Sequence, residues 1–531
     1  MEERQDTVSL TIDDVEVTVP AGTPVMEAAE RAGVVVPRYC YHPGIPTRPA
    51  QCRICLVEVE GRPKLEPSCV LAAQDGMVVR TRGEVVRRAR KTVIECLLVN
   101  HPLDCPICDA AGQCMLQDYA FETRQLRSRV REDKVVMGRD RIADDILYFA
   151  DRCIICTRCV RFMSEVAGEN SLIVAQRGDR AYIDTFPGEA LDHPFRGNIV
   201  DICPVGALVH EDLLFKARAW DLDKTPSVCN GCSTGCNVTL DTKENRVVRA
   251  KPRFNGEVNS YWMCDHGRRH LVAEGREMRG EVPLIRENGQ LAPVDWGRAL
   301  SWVAKRLELV REQPGDGGVA IASPRACNES LHYFRRLLDS LGMANGKFRV
   351  ERGSTAVLTG FPKLQLRADR APNVKGAEAL GFERADILPP GTPGELLLVL
   401  HEDLKDVDDS WGAAASFFLY LGEGIPSAAR MAHAVLPVTR FTEMEGTFTN
   451  FEGRVQRFQA ARRPPGIARP AWMILSRLLA LLGEEAPVSD GPGAFRAIGE
   501  AVPAFAGLEW DALGLKGAPL RPERAAASEV K

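Results

Sequence analysis

The spacing of apolar positions predicts regular elements near the start of the chain. Apolar and polar residues alternate over 7–12 and 15–19, which is typical of two half-buried strands. A helical spacing follows from Thr23 to Ala32, where the Thr23 hydroxyl is placed to cap the first turn. A further strand is predicted over 56–59 and a longer helix over 84–99. Two strands and a helix therefore precede a region rich in cysteine.

The second half of the chain alternates short apolar runs with helical patterns. Strands are predicted over 319–323 and 396–400, and their alternation with helices favours an α/β layer. Pro470 begins and Gly483 ends a helix whose apolar residues share one face. Residues 122–145 are charged and lack a clean period, so a linker or an extended arm is expected there. The chain is therefore expected to be multidomain, with α+β and α/β parts.

Composition narrows the class of protein. The 531 residues suffice for three or four domains, and 68 basic against 72 acidic residues give a net charge of −4, which does not indicate a nucleic-acid surface. The most apolar stretches, 396–400 and 411–421, are shorter than the roughly 18 to 20 residues that a membrane span needs. The polar N-terminus lacks a secretory pattern. In a reducing cytosol, 17 cysteines, of which 16 lie at or before Cys264, indicate metal ligands.

The first cysteine group occupies one long loop and a position beyond the strand at 56–59. Strand, strand, helix and then a cysteine loop is the plan of a plant-type ferredoxin, which holds a [2Fe-2S] cluster. The alternative is a zinc site, although compact zinc sites usually pair two short Cys-x2-Cys elements. The expected ligands are Cys40, Cys52, Cys55 and Cys69.

The second group follows the helix at 84–99. A histidine stands four residues before a Cys-x2-Cys-x5-Cys motif, which favours one imidazole and three thiolates around a [4Fe-4S] cluster. Because imidazole is neutral where thiolate is anionic, such a site should have a higher potential than an all-cysteine site. The alternative is that the histidine is a polar surface residue. The expected ligands are His101, Cys105, Cys108 and Cys114.

The third group combines a Cys-x2-Cys-x2-Cys run with a distant Cys-Pro. Three thiolates at this spacing can surround one corner of a cubane, and the distant cysteine completes it, as in bacterial ferredoxins. Met163 stands where a fourth Cys-Pro would usually follow, and no second run is present, so one [4Fe-4S] cluster is expected. The expected ligands are Cys153, Cys156, Cys159 and Cys203.

The fourth group flanks a small predicted sheet. Short strands over 238–240 and 247–250 are joined by a polar turn at 241–245, with cysteines at both ends of the sheet. This arrangement favours a further [4Fe-4S] cluster, while a zinc ribbon is the alternative. The expected ligands are Cys229, Cys232, Cys236 and Cys264.

The succession of these motifs resembles a known family. A [2Fe-2S] ferredoxin-like domain, a HxxxCxxCxxxxxC segment, a single-cluster ferredoxin domain and a CxxCxxxC…C segment are similar to the large iron-sulfur subunit of respiratory complex I. The likeness is strong over 1–275 and weak over the rest, where 297–307, 323–342 and 432–456 resemble parts of a molybdopterin-oxidoreductase fold.

Five regions are expected from the motifs and the resemblance. They are a β-grasp [2Fe-2S] ferredoxin-like domain over 1–82, a His/Cys3 [4Fe-4S] segment over 83–121, a bacterial-ferredoxin-like [4Fe-4S] domain over 145–221, a molybdopterin-oxidoreductase-type [4Fe-4S] segment over 222–281, and a degenerate molybdopterin-oxidoreductase-like α/β region over 282–520.

The resemblance implies an electron relay with one [2Fe-2S] and three [4Fe-4S] clusters and no substrate site of its own. A separate flavin subunit would oxidise NADH, and other peripheral-arm subunits of complex I would carry the electrons toward quinone, on the cytoplasmic side of the inner membrane. The first three clusters would lie on the main path and the fourth off it. The glycine-rich loop at 314–318 follows a helix and precedes a strand, the reverse of a dinucleotide-binding order, so NADH is expected to bind a partner.

Other classes share part of this plan. The large subunit of an NAD-linked formate dehydrogenase would add a molybdenum or tungsten pterin, but such enzymes usually carry two clusters in the ferredoxin domain and a lysine where this chain has His266. They also need a Cys-His pair, which is missing after Cys264, so molybdopterin is not expected. [FeFe]-hydrogenases need further downstream cysteines, and only Cys327 is present. A zinc-bound scaffold without electron transfer is the remaining alternative.

Several residues near the cluster loops are expected to be structural. Cys96 is predicted to be a small buried residue on the apolar face of its helix, and Cys327 a semi-buried residue at a helix start. Four arginines are expected to be solvated or to contact partners: Arg53, Arg152, Arg158 and Arg161.

Overall fold

The computed structural model describes residues 6–125, 127–273, 279–312, 318–344, 346–388, 396–484 and 486–521. The chain divides into two compact units. Unit 1 comprises Met1–Leu222 with Leu358–Pro362, and unit 2 comprises Asp223–Val357 with Lys363–Lys531. The glycine-rich loop at 314–318 lies outside the described residues except for its last glycine.

Unit 1 begins with a five-stranded sheet packed against a helix. The sheet order is β2-β1-β5-β3-β4, and β1 pairs antiparallel with β2 and parallel with β5. Helix α1 covers a core of inward-facing apolar side chains, which confirms the ferredoxin-like fold expected for this region. The elements are β1 (Thr7–Ile12), β2 (Val15–Pro20), α1 (Val25–Arg31), β3 (Leu56–Val59), β4 (Glu66–Pro67) and β5 (Val78–Arg80).

The predicted Thr23 cap is wrong. Helix α1 begins at Val25, and its N-cap is Pro24, which makes no side-chain capping bond. The Thr23 hydroxyl instead donates to the Pro20 carbonyl at 2.7 Å, closing the turn that follows β2. The proline between Thr23 and the helix has extended backbone (ψ 143°), so the threonine lies one residue too early to cap.

The rest of unit 1 consists of short elements separated by the cysteine loops. They form a three-stranded sheet of order β10-β7-β6 and a hairpin of β8 and β9. The predicted linker at 122–145 contains strand β6, whose mostly exposed residues pair with β7 and show no apolar alternation. The elements are α2 (Glu84–Leu98), α3 (Met115–Glu122), β6 (Arg139–Ala143), β7 (Ile146–Phe149), α4 (Arg158–Arg161), β8 (Leu172–Ala175), β9 (Tyr182–Thr185), α5 (Asn198–Ile202) and β10 (Leu208–His210).

Unit 2 begins with an antiparallel sheet of β11 (Asp223–Val228), β12 (Asn237–Lys243) and β13 (Arg246–Pro252). The turn between β12 and β13 is shorter than predicted, because only Glu244 and Asn245 lie outside the strands. Both have positive φ, 50° and 60°, as in a two-residue hairpin turn. The polar residues before that turn belong to β12, where buried Asp241 accepts a bond from Arg249 at 2.6 Å.

The main body of unit 2 is an eight-stranded sheet of order β15-β14-β23-β22-β21-β16-β17-β20. Strands β23, β22, β21, β16, β17 and β20 are parallel, and β21 is buried on both faces as parallel strands usually are. The elements of this sheet are β14 (Leu284–Glu287), β15 (Gln290–Pro293), β16 (Gly318–Ala322), β17 (Gly346–Phe348), β20 (Phe382–Arg384), β21 (Leu396–Leu400), β22 (Phe417–Gly422) and β23 (Ala434–Pro437).

Two smaller sheets and seven helices complete the described part of unit 2. The smaller sheets are β18 (Ala356–Val357) with β19 (Gln365–Leu366), and β24 (Gly446–Thr449), β25 (Arg454–Phe458) and β26 (Ala518–Pro519). The helices are α6 (Asp265–Ala273), α7 (Trp296–Glu312), α8 (Asn328–Ser340), α9 (Val374–Ala379), α10 (Ala471–Leu481), α11 (Gly491–Ala501) and α12 (Trp510–Leu513). Among the helices of the described ranges, none is both long and apolar enough to cross a bilayer.

A buried carboxyl group lies in the first turn of α8. The Glu329 side chain is fully buried and accepts bonds from the backbone nitrogen and the hydroxyl of Thr447, at 3.0 and 2.8 Å. Burial raises the pKa of Glu329 to about 7, against the lowering effect of the Thr447 backbone bond. Folding therefore favours the protonated form of this group.

This carboxyl group should make the stability of unit 2 depend on pH. The folded pKa of Glu329, about 7, exceeds its ordinary value of 4.5, so the free energy of unfolding should fall by about 3 kcal/mol as pH rises between these values. Glu329→Gln should remove this decrease. Between about pH 5.5 and about pH 8, unfolding measurements on both proteins should show about 2 kcal/mol of this decrease in wild type, with the surface variant Glu378→Gln as control. Parallel pH profiles for wild type and Glu329→Gln would contradict the expectation.

Candidate metal centres

The first cysteine group is arranged as two pairs of thiols. The sulfurs of Cys40 and Cys52 lie 3.4 Å apart, and those of Cys55 and Cys69 also lie 3.4 Å apart. The loop between α1 and β3 reaches this arrangement through positive φ at Ala50 and Arg53, one on each side of Cys52. Two thiol pairs are the donor set for two tetrahedral irons, so these residues fit a [2Fe-2S] cluster.

The hydrogen bond within each pair shifts the two thiol pKa values in opposite directions. The bond between Cys40 and Cys52 lowers the pKa of Cys40 and raises that of Cys52. The bond between Cys55 and Cys69 lowers the pKa of Cys55 and raises that of Cys69. Thiolate is the form of cysteine that binds metal, so one member of each pair is prepared for ligation.

The second group lies between α2 and α3. Cys108 and Cys114 are buried and Cys105 is exposed, while burial raises the pKa of Cys114 to about 11 and the thiols of Cys108 and Cys105 add to that rise. His101 Nδ1 is buried and makes no hydrogen bond. Burial also lowers the pKa of His101 to about 4, which keeps the imidazole neutral. A neutral ring with an unpartnered nitrogen fits the ligand role expected for His101.

Gly206 leaves room for a sulfur of the second group. A Cβ atom at this position would lie 2.2 Å from Cys108 Sγ and 3.1 Å from the Ala110 side chain. Gly206→Ala should therefore displace the Cys108 thiol and reduce the iron content by about four atoms, one [4Fe-4S] cluster. Iron analysis and low-temperature EPR of the purified chain measure the loss.

The control for Gly206→Ala is another glycine of unit 1. A Cβ at Gly83, which has extended backbone (φ −165°), would approach only a Glu58 oxygen at 3.6 Å. Gly83→Ala should keep the full iron content. Equal iron in both variants would show that the space beside Cys108 is not needed for the site.

The third group lines one cavity in unit 1. Cys153, Cys156, Cys159 and Cys203 all face this cavity, together with Tyr148, Arg158 and apolar side chains. The loop bends through positive φ at Ile155 and Thr157, and the Ile155 nitrogen donates to Cys153 Sγ at 3.4 Å. Positive φ is unusual for a β-branched residue, and here it occurs where the backbone turns around the thiols. Four cysteines around one cavity fit a [4Fe-4S] cluster.

The fourth group is buried in unit 2, with Cys229 and Cys236 at the two ends of the loop that joins β11 to β12. Burial raises the pKa of Cys236 well above its ordinary value, and the thiols of Cys229, Cys264 and Cys232 add to the rise, so the four lie close together. A Cβ at Gly267 would lie 2.9 Å from Cys229 Sγ and 3.6 Å from Cys264 Sγ. The glycine therefore lets two ligand-bearing segments approach, as a cluster site requires.

Other features of these regions differ from expectation or were missed. Cys96 is exposed on α2, so its predicted burial is wrong, because this helix buries Val86 and Ile94 instead. Cys327 is fully buried and caps α8, accepting a bond from Ser330 N at 3.4 Å.

Within the described ranges, no three His, Cys, Asp or Glu side chains are placed to hold a single metal ion.

Two of the four arginines expected to be solvated or to contact partners are buried within unit 1. Arg152 donates to Asp104 Oδ2 at 2.8 and 3.0 Å and lies 4.1 Å from the Phe149 ring centre. Arg158 donates to two main-chain carbonyls. Their positions beside Cys153 and between Cys156 and Cys159 were the only sequence signal that they belong to the site.

Family models match most of the chain between residues 5 and 481. The matches are a 2Fe-2S iron-sulfur cluster binding domain over 5–84, the NADH-ubiquinone oxidoreductase-G iron-sulfur binding region over 90–129, the ferredoxin-like domain of NADH-quinone oxidoreductase subunit 3 over 144–209, the molybdopterin oxidoreductase Fe4S4 domain over 222–272, and molybdopterin oxidoreductase over 279–388 and 390–481. These domains confirm the mixed, multidomain fold class.

Curated relatives carry consistent names. The mitochondrial 78 kDa subunit of NADH-ubiquinone oxidoreductase from Candida albicans is 30% identical over 93% of this chain and 85% of its own length. The G-type subunit of NADH-quinone oxidoreductase from Rickettsia conorii is 38% identical over 64% of this chain, and the match spans 50% of that relative. The corresponding Streptomyces coelicolor subunit is 40% identical over 59% of this chain and 37% of its own length.

A solved structure of an NAD+-reducing [NiFe]-hydrogenase in the H2-reduced state is 31% identical over 40% of this chain and 90% of that chain, with a TM-score of 0.36. The Candida relative covers most of both proteins, and the family models follow the order of the cysteine groups. The chain therefore belongs to the family of iron-sulfur subunits of NADH-quinone oxidoreductase that comprises the bacterial G-type subunit and the mitochondrial 78 kDa subunit.

Proposed function

We propose that this chain relays electrons within an NADH-quinone oxidoreductase, from a flavin-containing subunit that oxidises NADH toward the quinone-reducing subunits. The observation that carries the proposal is the cavity of unit 1 lined by Cys153, Cys156, Cys159 and Cys203, in a chain of this family. The chain itself has no proposed substrate site. Its partners are the flavin subunit and other peripheral-arm subunits, on the cytoplasmic side of the inner membrane.

The four cysteine groups are proposed to hold one [2Fe-2S] and three [4Fe-4S] clusters. When bound, such clusters take up and release single electrons, at potentials set by cluster type, charge, hydrogen bonds and exposure. The chain buries most of the thiols, which limits the access of water. It also directs backbone nitrogens at sulfur, as Gly231 N does to Cys229 Sγ and Gly267 N to Cys264 Sγ, both at 3.4 Å.

We also propose limits for the five domains of the chain. We assign the [2Fe-2S] domain to 1–82, the His/Cys3 segment to 83–121, the ferredoxin-like domain to 145–221, the fourth cluster segment to 222–281 and the α/β region to 282–520. The division of the chain between Leu222 and Asp223 supports the limit between the ferredoxin-like domain and the fourth cluster segment.

Iron content tests the cluster proposal directly. Anaerobically purified chain should be brown and contain about fourteen irons, two in one cluster and twelve in the other three. Reduction should produce EPR signals of both cluster types. A colourless protein with four zinc ions would overturn the proposal in favour of a zinc scaffold.

A pterin site is the second candidate, because family models for molybdopterin oxidoreductases match unit 2. The residues do not fit the cysteine ligand of such a site. Cys327 is the only cysteine after Cys264, and its sulfur caps α8 from a fully buried position. We therefore propose that unit 2 holds no molybdopterin. Detection of molybdenum or tungsten, or of viologen-linked formate oxidation, would overturn this part.

Native capture tests the partner proposal. The intact chain, purified under native conditions from its own cells, should bring a flavin-containing subunit with it. A chain isolated without flavoprotein under conditions that preserve other membrane complexes would contradict the assignment to this oxidoreductase.

A further inference from the structure

A buried guanidinium group lies between two of the candidate cluster sites in unit 1. Arg158 is the first residue of α4 and is 3% exposed. Its Nη2 donates to the Tyr41 carbonyl at 2.7 Å, next to Cys40 of the first group. Its Nη1 donates to the Ile202 carbonyl at 3.0 Å, next to Cys203 of the third group. One side chain therefore joins the two ligand loops.

The positive charge of Arg158 has no carboxylate partner among the described residues. Its Nε atom is buried and makes no hydrogen bond. Burial lowers the pKa of Arg158, and the thiols of Cys156, Cys203 and Cys40 act in the opposite direction. By contrast, the nearby buried Arg152 is paired with Asp104.

An unpaired buried cation is costly, and proteins usually balance it with a nearby negative charge. The ionised sulfurs of the two neighbouring groups are the negative charges available to Arg158. Arg158 also lines the cavity of Cys153, Cys156, Cys159 and Cys203, and its bond to the Ile202 carbonyl places its charge beside that group. Its bond to the Tyr41 carbonyl places the same charge beside the first group.

We propose that Arg158 is a positioning residue that provides one positive charge to two cluster sites, those of Cys40–Cys69 and of Cys153–Cys203, and so raises the reduction potentials of both. The inference rests on the proposed function. Reduction adds one electron to a site, and a cation nearby in a medium of low dielectric stabilises the more negative state. The same residue joins the two loops through its bonds to the Tyr41 and Ile202 carbonyls.

The test is an EPR-monitored redox titration of the full-length chain with its clusters in place. In Arg158→Gln, the midpoint potentials of the [2Fe-2S] signal and of the Cys153–Cys203 signal should both shift to more negative values. Arg158→Lys keeps the charge and should restore both potentials most of the way to those of the wild type. A purely structural clamp would lower cluster content without moving the potentials of the clusters that remain.

Arg161 provides a matched control on the same helix. This half-buried side chain also donates to the first loop, at the Cys40 and Thr47 carbonyls. Its Nε donates to the Thr157 hydroxyl at 3.3 Å, within its own helix start, so the guanidinium is not directed at the segment before Cys203. Arg161→Gln should therefore leave the potential of the Cys153–Cys203 signal unchanged. An equal shift of that signal in Arg161→Gln and Arg158→Gln would overturn the assignment to Arg158.

The outcomes separate this inference from the proposed function. Wild-type chain without clusters would refute the relay, whereas normal clusters with unchanged potentials in Arg158→Gln would refute only the role of Arg158. If Arg158→Gln loses its clusters, Arg158→Lys decides the matter. A large negative shift in Arg158→Lys, despite the retained charge, would overturn the proposal.

Discussion

Cys156→Ala should remove about four irons from the chain, together with the EPR signal of one [4Fe-4S] cluster. The thiol is buried and faces the same cavity as Cys153, Cys159 and Cys203, so no other cysteine is placed to replace it there. The [2Fe-2S] signal should remain, because its two thiol pairs belong to a different loop. NADH-dependent quinone reduction by the complex containing this variant should fall to background.

The control for Cys156→Ala is Cys96→Ala. Cys96 is an exposed thiol on α2, outside the four cysteine groups, so its removal should keep all irons and full quinone reduction. Iron analysis, EPR and steady-state turnover of the two complexes decide between the outcomes. Full iron in Cys156→Ala would mean that the cavity does not hold a cluster through this residue.

The grouping of the cysteines was predictable because its information is local. The Cys-x2-Cys-x2-Cys run keeps Cys153, Cys156 and Cys159 close together in the sequence. In the structure, Cys203 lines the same cavity as these three. Strands whose pattern is continuous were also predicted well. Residues 56–59 and 396–400 form β3 and β21 with the expected limits, because a short apolar or alternating run has few other ways to be buried.

The errors concern features that depend on distant parts of the chain. Arg158 was expected to be solvated or to contact a partner, but it is buried within unit 1, where it donates to the carbonyl of Tyr41, 117 positions earlier in the sequence. Cys96 follows the apolar period of α2, yet the surface that covers this helix meets Val86 and Ile94. Strand β6 has no apolar alternation and is recognisable only through its pairing with β7. Burial and pairing of this kind are set by tertiary structure, which a single sequence pattern does not encode.

These differences concern the groups that influence the reduction potentials of the candidate clusters. Thiol spacing predicts which residues are candidate iron ligands, whereas the potential of a cluster also depends on nearby charges, hydrogen bonds and exposure. Beside the cysteine groups of unit 1, the structure places the buried guanidiniums of Arg152 and Arg158 and the backbone nitrogen of Ile155. Beside the fourth group, in unit 2, it places the nitrogens of Gly231 and Gly267. None of these contacts follows from the cysteine spacing.

Unit 2 also contains a buried carboxylate that is paired with two arginines, and its role can be tested through stability. The Glu443 carboxylate is 1% exposed and accepts from Arg279 at 2.6 and 2.7 Å and from Arg462 at 2.6 Å. It also accepts the Arg440 backbone nitrogen at 3.0 Å. Both guanidinium groups are themselves almost fully buried, and Glu443 is the carboxylate that both contact directly.

Glu443→Gln should lower the free energy of unfolding of unit 2 by about 3 to 5 kcal/mol, because it leaves two buried guanidinium groups without their counter-charge. The control is Glu484→Gln, which breaks a half-exposed pair with Arg311 at 3.3 Å and should cost less than about 1 kcal/mol. Denaturant unfolding of chains with equal iron content, followed by limited proteolysis of unit 2, measures both. Equal midpoints for the two variants would show that the Arg279 and Arg462 charges are balanced by groups other than Glu443.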